Sequence, residues 1–316
     1  MFKVYVADKF FVNLKISFSY KDLATIIDFF GNRQIIQLFD FEGRKTFHLY
    51  DAIPRMLEVA KKQNNVNDSY SDFTTFELFE DHYPFKLFFL NIPKSHADAL
   101  MNQYGFAVIC PENFENLWKR LTFAGRIDIT PDNNIGAINN FNQLNNYIFS
   151  RFNFGIIQDP YLITKDNNKA SFKFFIKSIF SLQNLKLLLL KEPNKDDTLV
   201  QLQNQFNNII GSIGGIKNQP VLLVKKELGD NDRHCFTNYY YINLNHSLNA
   251  FNEQGNLVNN QQLNIESYFV NLITFSRDLE RMKEKVNYVN NHQDQIINRV
   301  EASNALNTIM SFFIAE

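Results

Sequence analysis

Leu185-Lys186-Leu187-Leu188-Leu189-Leu190 is a run of six residues carrying a single charge. It is short for a buried helix and of ordinary length for a strand covered on both faces, so it is read as a central strand of a layered α/β domain. Its neighbours agree with that reading. Gly155-Ile156-Ile157 and Val221-Leu222-Leu223-Val224 are further short apolar runs. Between them, residues 170–182 carry Phe172, Phe175, Ile176, Ile179 and Phe180 at helical spacing, and 199–210 forms a second helical stretch ended by Gly211. Strand, helix, strand, helix, strand is the order of a parallel sheet with crossover helices. Residues 235–244 follow as one long strand, whose Tyr239, Tyr240 and Tyr241 are assigned to the core in preference to a base-stacking platform.

Upstream, the periodicity predicts strands at 2–6, 11–17, 34–39, 75–79, 85–90 and 107–110, alternating with helices at 21–30, 51–62, 95–103 and 112–121. Thr130-Pro131-Asp132-Asn133-Asn134 is the clearest turn cluster and sets a boundary. The expected fold class is therefore α/β, with two layered α/β domains at 1–130 and 155–260. Residues 131–154 join them, including a connecting helix at 139–152.

The remainder, 261–316, differs in kind. Tyr268, Leu272, Phe275, Leu279, Met282, Val286 and Val289 step by alternating fours and threes, and Gln293, Ile296 and Val300 continue the register. A heptad seam of this kind predicts a long C-terminal amphipathic helix. It either packs on its own domain or holds a protein partner or second copy through Leu272, Leu279, Met282, Val286 and Val289.

Composition excludes several classes. With 32 basic and 33 acidic residues the net charge is −1, unlike a dedicated nonspecific nucleic-acid binder. Two cysteines exclude a disulfide framework. Charges interrupt both the first residues and the most apolar stretch, 172–190, so neither a signal peptide nor a membrane span is expected, and the chain is placed in the cytoplasm. The 33 phenylalanines, with plentiful Asn and Lys, point to AT-rich coding as much as to chemistry.

No Walker A, Gly-x-Gly-x-x-Gly, His-Glu-x-x-His or Gly-x-Ser-x-Gly sequence occurs. Gly211-Ser212-Ile213-Gly214-Gly215 lacks the Lys-Ser/Thr pair of a phosphate loop and is read as a helix cap and loop. Glu77, Glu80, Asp81 and His82 are metal-ligating types on a segment read as a solvated turn. Asp8, with Asp40 and Glu42, stands where a carboxylate nuclease on an open sheet would place metal ligands. Neither group shows convergence in sequence, and no metal or cofactor is expected.

One segment carries motifs. Asp159-Pro160-Tyr161 follows the strand at 155–157, Asp232-Arg233 precedes the strand at 235, and Leu248-Asn249-Ala250-Phe251 closes the region. In this order, residues 155–251 resemble the phospholipase-D-like domain at the C-terminus of proteins with a microtubule-interacting-and-trafficking domain, and its bacterial relatives. Those domains show Asp-Pro-Tyr, then His-Asp-Arg, then a Gly-rich stretch ending in Leu-Asp-x-Phe. This chain departs at Asn231, which replaces the motif's His, and at Asn245-His246-Ser247, which replaces the Gly-containing approach.

The wider superfamily attacks phosphodiesters with the His of His-x-Lys-x₄-Asp, and none of the six histidines here has Lys two positions later. The resemblance therefore implies a catalytically inactive recognition or assembly subunit, in a bacterial setting such as a defence or mobile-element system. It would bind a protein partner and a phosphate-bearing ligand or nucleic acid. The ligand candidates are Asp159, Lys225, Asp232, Arg233, Asn238 and Tyr240. The competing reading is a phosphodiesterase or nuclease acting through His234 and His246, or through Asp8 with a metal. Phosphoinositide binding, known for some relatives, is a third. A structural alternative has Arg233 bracing a carboxylate at a sheet edge.

Overall fold

Apolar runs of strand length nucleate two sheets. The computed structural model describes residues 3–7, 10, 34–38, 66–67, 79, 83–131, 137–163, 166–191, 198–217, 220–224, 233–244, 250–270 and 296–297, with the single positions 277, 280, 281, 284, 287 and 291. The protein is mixed α/β, and the chain divides into two units, Met1–Leu121 and Thr122–Glu316.

The first unit holds β1 (Lys3–Ala7), β2 (Gln34–Leu38), β3 (Val66–Asn67), β4 (Lys86–Phe89) and β5 (Ala107–Ile109). All neighbours are parallel, in the order β3-β2-β1-β4-β5. Helix α1 (Lys94–Tyr104) joins β4 to β5 and ends where Gly105, at φ 73°, donates its N–H to Met101 O. Helix α2 (Phe114–Leu121) buries Phe114, Leu117, Trp118 and Leu121. Aromatic rings fill the core: Tyr5 and Phe79 stack on Phe88 at 4.8 and 4.2 Å. Lys86 is fully buried, its ammonium 5.0 Å from the centre of the Phe106 ring. The predicted elements at 11–17, 21–30 and 51–62 lie outside the described residues. At 75–79 only Phe79 is described, and it is helical where a strand is predicted.

The second unit is a nine-stranded mixed sheet ordered β14-β10-β9-β8-β11-β12-β13-β6-β7. Its strands are β6 (Gly125–Ile129), β7 (Ala137–Ile138), β8 (Phe154–Gln158), β9 (Lys186–Lys191), β10 (Val221–Val224), β11 (His234–Thr237), β12 (Tyr240–Asn243), β13 (Gln261–Ser267) and β14 (Ile296–Ile297). Strands β8, β9 and β10 are parallel, linked through α3 (Asp166–Ile179) and α4 (Leu199–Ile213). Gly155 is required where it stands: a β-carbon there would lie 2.7 Å from two carbons of the Phe180 ring.

Five sequence expectations are corrected. The boundary falls at 121/122 and not at 130, because β6 pairs with β13, and the Pro131 turn belongs to the second unit. The connecting helix at 139–152 is a 3-10 helix, Phe141–Asn146, where Asn140 Oδ1 accepts the Asn142 N–H at 2.9 Å. Asparagine side chains compete there with helical backbone bonds. The strand at 235–244 is a hairpin, since Thr237 Oγ1 takes the N–H groups of Tyr239 and Tyr240 at 3.3 and 3.1 Å and turns the chain. Helix α4 runs through Gly211 to bury Ile213, and Gly214 at φ 70° ends it. Finally, 261–316 does not begin as a helix. Gln261, Leu263, Ile265 and Ser267 alternate as the buried side of β13, a period of two that the heptad reading passed over. Ile296, placed on the seam, lies in β14 against Leu223 of β10.

Register assigns each side chain of this sheet to a face, because directly paired residues share one. One face carries Leu189, Ile157, Cys235, Ile242 and Ile265 in a row. The other carries Leu188, Ile156, Phe236, Tyr241 and Glu266, and above them Leu190, Gln158, His234, Asn243 and Asn264. Helix α3 is on the first face. Phe175 of α3 meets Phe180 at 6.4 Å, Phe180 meets Phe152 at 5.9 Å, and Phe152 meets Tyr240 at 5.8 Å.

Candidate functional site at the carboxyl ends of the parallel strands

Ligands of open α/β sheets bind beyond the carboxyl ends of parallel strands. At that end of β8 the ladder continues past Gln158, and Asp159 N–H donates to Leu190 O at 3.0 Å, which sets Asp159 alongside Lys191 of β9. On the other side of β8, His234 is opposite Gln158, so Arg233 follows beside Asp159. Two cations therefore flank one carboxylate in a single row, Arg233–Asp159–Lys191. Arg233 Nε is 3.8 Å from Asp159 Oδ1, with the Arg233 side chain 18% exposed and the carboxylate fully buried. Lys191 is also fully buried.

Asp159 Oδ1 further accepts the Tyr161 N–H at 2.9 Å, the turn that an Asp-Pro-Tyr sequence favours. The Tyr161 ring lies 5.0 Å from the Arg233 guanidinium carbon and is 45% exposed. A carboxylate held out of water needs a cation and donors around it, and Arg233 and the Tyr161 amide supply them.

The other described candidates stand elsewhere. His234 belongs to the opposite face, where its Nδ1 is 2.5 Å from the Tyr241 hydroxyl and the ring is buried beside Phe236. Asn238 sits in the β11–β12 turn. Its Oδ1 accepts the Asn153 and Phe154 N–H groups at 3.1 and 3.2 Å, and its Nδ2 donates to Asn153 Oδ1 at 2.8 Å. Tyr240 accepts the Phe149 N–H at 2.9 Å. Both pin the hairpin to the amino end of β8, roughly 17 Å from Asp159 at strand rise. Asp8, Lys225, Asp232, His246, Asp40, Glu42 and the Glu77, Glu80, Asp81, His82 group lie outside the described residues, as do Leu272, Leu279, Met282, Val286 and Val289.

Sequence reading missed Lys191. The signal was available: a lysine directly following an apolar strand stands at its carboxyl end, where the side chain meets whatever the neighbouring strands present.

Chemical capacity follows from the same face. Cys235, two residues below Arg233, has its thiol pushed strongly up by complete burial, so it is not a thiolate and not a nucleophile. Among the described residues no group of three His, Cys, Asp or Glu side chains gathers to hold a metal ion. None of the described helices is long and apolar enough to cross a membrane. Compared with protein-family models and with curated proteins, the sequence matches none of them.

Proposed function

We propose that the second unit is a non-catalytic recognition domain that holds a phosphate-bearing ligand at the Arg233–Asp159–Lys191 row. The observation that carries this reading is the placement of two cations around one buried carboxylate at the carboxyl ends of β8 and β9. Guanidinium and ammonium groups bind phosphate oxygens by charge-assisted hydrogen bonds, and a neighbouring carboxylate fixes the guanidinium plane. Support for the non-catalytic half comes from His234, bonded to Tyr241 on the far face of the sheet, and from the protonated Cys235 thiol. A phospholipase-D-like ancestry, and with it a bacterial defence or mobile-element setting, rests on the resemblance of residues 155–251. The seam residues Leu272, Leu279, Met282, Val286 and Val289, the candidates for holding a protein partner, lie outside the described residues.

The test is titration calorimetry with pyrophosphate, ATP and a short oligothymidylate, alongside turnover of a chromogenic phosphodiester. Wild type should bind at least one probe, more weakly as salt rises, and turn over none of the diester. Lys191→Gln and Arg233→Gln should each weaken binding about tenfold, or roughly 1.4 kcal/mol. Binding unchanged in both variants refutes the site. Diester turnover lost in His234→Ala, with the fold intact, would establish the phosphodiesterase reading instead.

A further inference from the structure

We infer that the ligand of the Arg233–Asp159–Lys191 row carries a nucleobase, which stacks on the outer face of the Tyr161 ring while its phosphate meets Arg233; this rests on the row being a phosphate site. The turn that presents Tyr161 is otherwise made of buried parts. Asp159 and Ile163 are fully buried, and Pro160 and Leu162 are buried with them. Tyr161 alone of these five residues is exposed. A ring of that size would gain from burial, yet the core takes Leu162 and Ile163 instead.

The turn holds the ring in place. Asp159 O accepts the Leu162 N–H at 3.1 Å and Asp159 Oδ1 accepts the Tyr161 N–H at 2.9 Å, so one residue closes the turn twice. At its end Ile163 has φ 61°, with its side chain in the core. A β-branched residue in the left-handed region is strained, and such strain persists where surrounding contacts over-determine it, most often at ligand sites. A ring positioned in advance loses little freedom when a flat group stacks on it.

Geometry selects the kind of ligand. The Arg233 guanidinium carbon lies over one face of the Tyr161 ring, 5.0 Å from its centre, so the exposed area belongs to the opposite face and the rim. Within the row only Arg233 reaches solvent, since Asp159 and Lys191 are fully buried. An arriving molecule therefore meets a guanidinium fork and a flat ring side by side. Bare phosphate or polyphosphate uses only the fork. A nucleotide uses both, because every base has a π-face to lay on an aromatic ring. A lipid headgroup would call for apolar contacts with the bilayer, and Leu199 and Val200 stand exposed where α4 follows the carboxyl end of β9. Helix α4, however, has no Lys or Arg to meet an anionic surface.

Titration calorimetry on the full chain compares ATP with tripolyphosphate, which keeps the phosphate chain and lacks the nucleoside. Wild type should bind ATP about tenfold more tightly, the scale of one base–aromatic stack. Tyr161→Ala should remove that preference while tripolyphosphate still binds, and Tyr161→Phe, which keeps the ring, should retain it. Both variants change an exposed side chain and should melt with wild type. Equal affinity for the two probes in wild type, or a preference that survives Tyr161→Ala, overturns the inference and leaves the phosphate site standing. Binding of neither probe removes that site and this inference with it. A short oligothymidylate held more tightly than ATP, and weakened by Tyr161→Ala, supports the stack with a single strand as its source; tighter ATP supports it with a free nucleotide. Capture by phosphatidylcholine vesicles containing phosphatidylinositol phosphate, lost in Leu199→Ser with Val200→Ser while ATP and tripolyphosphate bind alike, assigns the surface to a membrane and overturns the inference.

Discussion

Each unit has adjacent parallel strands, and the two fill the carboxyl ends of those strands with opposite chemistry. In the first, β1 and β4 are adjacent parallel strands from which connections lead to both sides, the place where an open α/β sheet offers a crevice. Phe10, fully buried, occupies the turn beyond β1, with its N–H bonded to Ala7 O. Its ring lies 5.2 Å from Phe89 and 6.0 Å from Phe114, and Phe114 stacks on Trp118. In the second, Asp159 and Lys191 follow at the carboxyl ends of β8 and β9, with Arg233 beside Asp159. Topology thus sets where a ligand would bind, while the residues leaving the strands decide whether one does. An aromatic plug at one sheet contributes to stability; a charged row at the other costs desolvation, for which the proposed recognition role offers a reason.

The hardest test of this contrast is Phe10→Ala. Deleting a fully buried ring whose neighbours are themselves aromatic should destabilise the first unit by about 3–5 kcal/mol. Urea unfolding followed through Trp118, which belongs to that unit, would read the loss, and phosphate binding by the second unit should be untouched. A midpoint that does not move would mean that the position is a cavity and not a plug, and the contrast between the units would fail.

How much of this was legible in sequence depended on which residues spoke for themselves. The runs at 86–89, 107–109, 186–191 and 221–224 are apolar enough to be strands in any context, and they are. The helix expected at 95–103 is found at Lys94–Tyr104, and Gly105 ends it. Failures came where side chains redirect backbone. Nothing in a β-rich string such as 235–244 says that Thr237 and Asn238 will take the amides needed to continue a strand. Likewise β13 reads as polar because half of it, Gln262, Asn264 and Glu266, faces partly outward, and only a partner strand reveals the period of two. At the site, Asp159 and Arg233 were visible through their motif, but Lys191 was not, because its role arises from register between strands. Asn238 was assigned to the ligand on proximity in sequence to Arg233, and a hairpin sends five residues the length of a strand away.

Asn238→Ala therefore separates architecture from site. Removing its amide leaves the Asn153 and Phe154 N–H groups without their acceptor in a buried turn, which should cost about 1–3 kcal/mol. Ligand affinity of the folded fraction should stay at the wild-type value. Reduced affinity at preserved stability would return Asn238 to the binding surface and dissolve the separation between the two ends of β8.

The smallest expected effect uses the two cysteines, one in each unit, as internal gauges. Burial raises the pKa of both thiols, and at Cys110 backbone hydrogen bonds from Asn113 and Glu112 oppose part of that rise. In the unfolded chain a thiol ionises around pH 8.5. The folded value lies higher, so the unfolded state loses its proton first, and stability present below pH 8.5 declines as pH rises from there toward the folded pKa. For Cys235 this amounts to about 0.8 kcal/mol by pH 9 relative to pH 7. Urea midpoints of the second unit at pH 7 and pH 9 should differ more in wild type than in Cys235→Ala. The same comparison with Cys110→Ala reports on the first unit. Equal pH slopes in wild type and Cys235→Ala would mean that the thiol at the centre of the nine-stranded sheet reaches water. The face that carries the charged row would then be more open than its burial implies, and a thiolate would have to be readmitted to the chemistry beside Arg233.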